Sequence, residues 1–226
     1  MKQHIYIKTW NGFSPSTSGK KNKLSDHYEK FYNEGNNEFS DNKQWLDSKL
    51  SVAEDLVEIL KPYKKILSLG CGRGVIEKSI IKKLDKDSSI HGIDPYIDVS
   101  SEFELGNLKI QKASVFDYQL PEYDIAYLNT VDYCLDDLEY SKICTRLFQL
   151  TKNGIIISQL MPPNINYLFS LKYRIGSFIK SLPISPYVFW GWHRSIDEHM
   201  NLLNNCGYTR FTFGYHKNNL IWLHAT

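Results

Sequence analysis

From Asp41 onward Trp45, Leu46, Leu50, Ala53, Leu56, Val57 and Leu60 recur at intervals of three and four, the stripe of an amphipathic helix that Pro62 stops. The chain then alternates in type, with strand 64–69, helix 73–84, strands 89–93, 108–113 and 123–128, helix 136–150 and strand 154–159. This alternation predicts a mostly parallel sheet with helices on both faces. Further on, Ser195 caps a helix running through Cys206 and ending at Gly207, and 208–213 and 220–225 read as two strands joined by a turn at 216–219. The chain is thus expected to close on an antiparallel hairpin.

Two stretches break the pattern. Residues 1–40 are polar and interrupted, an N-terminal extension or lid whose segment GFSPSTSGKKNK (12–23) has the composition of a flexible loop. It is not a phosphate-binding loop, because six residues separate Gly12 from Gly19 where four are needed, and Lys21 stands where Ser or Thr would bind magnesium. Residues 161–190 carry Pro162, Pro163, Pro183 and Pro186 around the aromatic, basic run INYLFSLKYRIGSFIK, a helical cap insertion in the body formed by 41–226.

Composition narrows the function classes. With 226 residues and 42% hydrophobic content the chain can bury one sizeable core. Its 27 basic and 25 acidic side chains are dispersed and leave a formal charge of +2, which advertises neither a nucleic-acid groove nor an anionic-membrane surface. The four cysteines have no metal-ligand spacing and read as reduced thiols. No segment has the length and apolarity of a signal peptide or membrane span, so a cytoplasmic location is expected.

The chemistry centres on ILSLGCGRG, residues 66–74. Glycines directly after the first strand of a parallel sheet let the backbone approach a ligand closely. Gly70, Gly72 and Gly74 are spaced GxGxG, and Val75 follows where a dinucleotide loop would continue towards its third glycine, so a nucleoside without phosphates is the better fit. A ribose needs a carboxylate near the end of the second strand, about 20 residues downstream. Asp94 in IHGIDPY stands there.

With these motifs the chain resembles the class I S-adenosylmethionine-dependent methyltransferases, clearly from Leu50 to Asp124 and loosely to the C-terminus. The resemblance implies a Rossmann-like, mostly parallel seven-stranded sheet whose terminal hairpin supplies the antiparallel strand, and S-adenosylmethionine as cofactor. It places Gly70, Cys71 and Gly72 along the methionine portion, Asp94 at the ribose, and Pro95 and Tyr96 along the adenine. It assigns Ser114, Val115 and Phe116 in KASVFDY to the adenine amino group, and Asn129 to the methionine and the transferring methyl. The chain departs from the family at three points. Ser68 replaces an acid often found in the first motif, Ser114 replaces an Asp, and only 13 residues separate Asp94 from Leu108, so the second inter-strand helix is expected to be short or missing.

Methyl transfer asks the protein to align donor and acceptor and, for some acceptors, to remove a proton. Asp132 and Tyr133 in NTVDYCLDD and His193 in GWHRS are the catalytic candidates, set against capping and packing roles for the first two and a surface role for the histidine. Arg194 is a candidate anion partner, and His199 and His216 have weaker cases. Trp190 and Trp192 offer a platform for a sugar or aromatic ring, with packing of the cap as the alternative. Lys172, Tyr173, Arg174 and Lys180 read first as a solvated basic face. Asp132, Asp136 and Asp137 lack the Asp-Asn pair of metal-dependent relatives, so no metal is expected. The fourth strand does not end in an NPPY-type tetrapeptide, which argues against DNA bases. The resulting expectation is O-methylation of a small-molecule or glycan acceptor, with a non-catalytic S-adenosylmethionine-binding sensor or assembly partner as the alternative and RNA or protein modification behind both. Nothing in the sequence favours one oligomeric state.

Overall fold

The computed structural model describes residues 3–8, 43–116, 119–160, 175 and 187–226. The loop expected at 12–23 and the basic residues of the cap, Lys172 to Arg174 and Lys180, lie outside the described residues.

An eight-stranded sheet organises the chain. After β1 (Gln3–Lys8) and α1 (Lys43–Leu60), the body runs β2 (Lys65–Leu69), α2 (Val75–Ile81), β3 (Ser89–Ile93), β4 (Phe103–Leu105), β5 (Leu108–Gln111), β6 (Ile125–Asn129), α3 (Asp137–Leu150) and β7 (Ile155–Leu160). It ends with β8 (Tyr187–His193), α4 (Ile196–Asn205), β9 (Phe211–Tyr215) and β10 (Ile221–Ala225). The strand order is β4-β5-β3-β2-β6-β7-β10-β9. The five strands from β5 to β7 are parallel, while β4, β10 and β9 join the ends antiparallel to their neighbours. From β2 the chain winds first towards β3 and β5, then returns to lay β6 on the other side. The crevice at such a switch point, beyond the carboxyl ends of β2, β3 and β6, is where open α/β sheets bind ligands.

Alternation along the strands fills two apolar layers. Ile66, Ile90, Ile110, Ile125, Tyr127 and Ile156 face α1 and α2, and Leu67, Ile93, Ala126, Leu128, Ile155 and Ile157 face α3 and α4. Helices therefore cover both faces, as the patterning predicts. The α1 stripe is buried through Val52, Ala53, Leu56, Val57 and Leu60.

The structure departs from the sequence reading in two places. The sheet has eight strands rather than seven, because the short stretch after Asp94 forms a 3-10 turn at Val99–Ser101 and the edge strand β4, with no helix. Gly106, at φ +59°, turns β4 directly into β5, so the missing inter-strand helix is replaced by a hairpin. The second departure is a separate antiparallel pair of β1 with β8. Residues 187–190, read as the end of the helical cap, are strand, and so is His193, read as loop. Both segments, QHIYIK and YVFWGWH, are rich in β-branched and aromatic residues, and that composition prevails over their polar and proline-rich surroundings.

Candidate functional site

The glycine turn is built where β2 meets the switch point. Gly70, Gly72 and Gly74 have φ of 68°, 54° and 71°, the left-handed region that glycine enters without steric penalty. At Gly70 space also demands glycine, since a Cβ there would lie 2.5 Å from Val131 Cγ2. The Gly70 N–H donates to the Ile93 carbonyl at 2.8 Å, tying the turn to the end of β3.

Asp94 closes the turn. Its Oδ2 accepts from the Gly72 N–H at 3.0 Å and its Oδ1 from the Tyr96 N–H at 2.9 Å. Burial pushes the carboxyl up, and the Tyr96, Gly72 and Ile97 amides pull it back. With these backbone donors the carboxylate retains capacity to accept from a ligand hydroxyl. Pro95 is exposed and Tyr96 half-buried beside it. Ser114 Oγ accepts from the Phe116 N–H at 3.2 Å, Val115 packs its side chain into the core, and Phe116 is 54% exposed. Val115 is therefore left only its backbone for a ligand. Cys71 packs beneath Gly92, and burial first, then Glu77 and Asp94, keep its thiol protonated.

Sequence reasoning missed a buried carboxylate under this turn. Glu77, in the first turn of α2, is 2% exposed, and its Oε1 accepts from Ser68 Oγ at 2.7 Å and from Tyr127 OH at 2.8 Å. Burial pushes its pKa up, opposed by those two bonds, by its own backbone amide and by Lys49. An acid absent from position 68 is thus present beside it. The signal was available, because Glu77 falls on the inward stripe with Ile76 and Ile80.

Beyond β6 lies the second set of candidates. Thr130, at φ 55°, turns the chain out of the strand into a 3-10 turn at Asp132–Cys134, and Asn129 Oδ1 is left buried with no hydrogen-bond partner among the described residues. Asp132 is buried, and desolvation pushes its carboxyl up to about 6 against the pull of Arg194. His199 Nε2 stands 3.5 Å from Asp132 Oδ2, while His199 Nδ1 lies 2.9 Å from Tyr140 OH. Arg194 donates to the Asp132 carbonyl at 2.7 Å, the Leu135 carbonyl at 2.6 Å and Asp137 Oδ1 at 3.0 Å. It is 3% exposed and lies over the Tyr140 ring, so it braces this turn and is not open to an anionic acceptor. His199, given a weak case from sequence, is the histidine that meets Asp132; its spacing from Ile196 and Leu203 marked it as inward-facing. Tyr133 packs against β8 at Gly191, where a Cβ would come within 2.4 Å of the Tyr133 carbonyl oxygen. His193 pairs with Gln3 through the backbone, and the side chains of His193 and Trp190 lie outside the described residues.

A third constellation has the order of a nucleophilic triad. His216 Nε2 lies 3.0 Å from Ser158 Oγ, and its Nδ1 lies 3.3 Å from Asp55 Oδ2. Ser158 is fully buried, however, and a nucleophile must meet its substrate. These residues tie α1, β7 and the terminal turn together.

No family model matches the chain, and no curated protein matches it. Solved structures do. Human N-acetylserotonin methyltransferase, in complex with S-adenosylmethionine, superposes with a TM-score of 0.61 at 19% identity, covering 89% of this chain and 56% of that one. Mitomycin 7-O-methyltransferase gives 0.60 at 12% identity, covering 83% and 58%. A riboflavin-derivative N,N-dimethyltransferase from Streptomyces davawensis gives 0.57 at 16%, covering 77% and 52%.

The chain has the class I S-adenosylmethionine-dependent methyltransferase fold.

It spans little more than half the length of these three methyltransferases. The turn at Asp132 follows β6 and so borders the crevice beyond the carboxyl ends of β2, β3 and β6. Among the described residues no group of three or more His, Cys, Asp or Glu is arranged to hold a metal, and no helix is long and apolar enough to cross a membrane.

Proposed function

We propose that the chain is an S-adenosylmethionine-dependent methyltransferase that methylates an oxygen of a small-molecule or carbohydrate-containing acceptor. The observation that carries this reading is the pairing of two buried carboxylates around one crevice. Asp94 is fixed by backbone amides beside the glycine turn, and Asp132 titrates near neutrality beyond the neighbouring strand.

The residues present fit the cofactor. The left-handed turn leaves its backbone unshielded by side chains at Gly70 and Gly72, with Cys71 between them, for the methionine portion. Asp94 offers its remaining acceptor capacity to a ribose hydroxyl. Pro95 and Tyr96 lie along the adenine, with Ser114, the Val115 backbone and Phe116 at its amino edge, and Asn129 stands at the methionine end. When bound, the cofactor supplies a methyl group on a positively charged sulfur. The chain then aligns the acceptor in line with that methyl and takes the acceptor's proton. Asp132 is the base in this reading. Above pH 6 it is ionised, buried and ready to accept from a hydroxyl whose acidity rises as the new bond forms. Tyr133 and His193, brought to the same end by the contact of β8 with the Asp132 turn, are assigned to acceptor contact.

The sensor alternative drew its support from Ser68 and Ser114. Glu77 places a carboxylate beside Ser68, which speaks for an intact cofactor site and against that alternative. Methyl-labelled cofactor incubated with pooled sugar nucleotides, glycolipids, polyphenols and RNA tests the reading. Label is expected in a small hydroxylated acceptor, and binding of cofactor without transfer to any pool returns weight to the sensor.

A further inference from the structure

The cluster beneath the glycine turn has acceptor capacity that the described residues leave unused. Glu77 Oε1 accepts from Ser68 and Tyr127, while Glu77 Oε2 is buried without a hydrogen-bond partner among the described residues. Asn129 Oδ1 is in the same condition. The two belong to one face and one end of the sheet. Ser68 and Tyr127 pair across β2 and β6, and Tyr127 packs into the layer under α1 and α2. Asn129 follows two residues on, pointing by alternation to that same layer, where the pairing of Leu69 with Leu128 sets it next in register to Gly70. Glu77 itself follows Gly74 by three residues, so its carboxylate is bracketed by both ends of the turn.

A buried acceptor without a donor is costly, and a carboxylate oxygen more so than an amide oxygen. Two such acceptors at one end of the sheet are best satisfied together by a compact group rich in donors. An ammonium carries three donors and a positive charge. Lys49, the charged group facing Glu77 from α1, is kept below its usual range by burial and restored in part by Glu77.

We propose that Glu77 Oε2, together with Asn129 Oδ1, receives the ammonium of the cofactor's amino-acid end. This assignment rests on the reading that the chain binds S-adenosylmethionine. Glu77 thereby serves from α2 the face of the turn that Ser68 cannot serve from β2, and Ser68 and Tyr127 act as positioning residues that hold its carboxylate by the other oxygen.

Replacing Glu77 by Gln tests it, since E77Q keeps an oxygen for Ser68 and Tyr127 but turns the second position into a donor. Binding is measured by calorimetry with S-adenosylhomocysteine and with 5′-methylthioadenosine, which carries the same nucleoside without the amino-acid end. The expected result is a loss of about tenfold or more for the first and less than about twofold for the second. An equal loss for both makes Glu77 a support of the turn alone and overturns the proposal, as does no loss for either. If E77Q does not fold, the wild-type chain is titrated with S-adenosylhomocysteine and its α-deaminated analogue. Weaker binding of the analogue by about tenfold supports the proposal, and equal binding overturns it. Wild-type protein that takes up none of these nucleosides overturns the cofactor reading, and the inference with it.

Discussion

Asp94 and Asp132 are both buried carboxylates at the carboxyl end of the sheet, and burial raises both, yet their surroundings prepare them for opposite tasks. Asp94 is gripped by the amides of Gly72 and Tyr96, neutral donors that fix both oxygens and favour the charged form. Asp132 also accepts from its own and the Tyr133 amides, but its main-chain carbonyl is braced by the Arg194 guanidinium, His199 stands beside its carboxylate, and it titrates at about 6. The first environment suits a permanent acceptor. The second suits a group that takes up and releases a proton near neutrality.

The sharpest way to break this contrast is Asp132→Asn, for which turnover should fall on the order of 10²- to 10⁴-fold while cofactor affinity stays level. Wild-type turnover should decline as pH drops through about 6, and that acidic limb should vanish in the variant. The sign for stability runs the other way. A carboxyl raised from about 4 to about 6 in the fold stabilises below the lower value and loses that contribution as pH rises through the upper one. Thermal melts across this window should therefore be flatter for Asp132→Asn than for the parent.

Next in size is Arg194→Ala, which removes a buried guanidinium and leaves two main-chain carbonyls and Asp137 short of donors. A loss of about 3–5 kcal/mol is expected in denaturant titration. Asp94→Ala should weaken the cofactor by about 10- to 100-fold in calorimetry without moving the pH limb assigned to Asp132, which separates holding from titrating. Gly70→Ala forces a left-handed alanine at a cost of about 1–2 kcal/mol, and its Cβ meets Val131 as well. Adding Val131→Ala should recover the steric part of the lost melting temperature and leave the backbone part. The smallest effect is expected at Cys71→Ala, less than about threefold in cofactor affinity, because in the proposed site that residue acts through its backbone and its half-buried thiol stays protonated.

The same two regions explain what a reader of the sequence can and cannot see. The glycine turn with Asp94 is local. A strand, three glycines and an acid at fixed spacing signal themselves within 29 residues, and the structure joins Gly72 to Asp94 as that spacing implies. The Asp132 region is assembled from afar, since Arg194 reaches the Asp132 carbonyl across 62 positions and His199 reaches Tyr140 across 59. Glu77 meets Tyr127 across 50, so the carboxylate beside Ser68 is not visible from the first motif alone. The β1 and β8 pairing joins nearly opposite ends of the chain, and no periodicity within either strand announces its partner.

The claim on which the rest depends is that the GxGxG turn with Asp94 holds S-adenosylmethionine and not a dinucleotide. Parallel calorimetric titrations of the wild-type chain with S-adenosylmethionine and with NAD test it directly. Saturable one-to-one binding of S-adenosylmethionine, with no heat from NAD, is the result predicted; NAD binding, or no binding of S-adenosylmethionine up to millimolar concentration, would contradict it.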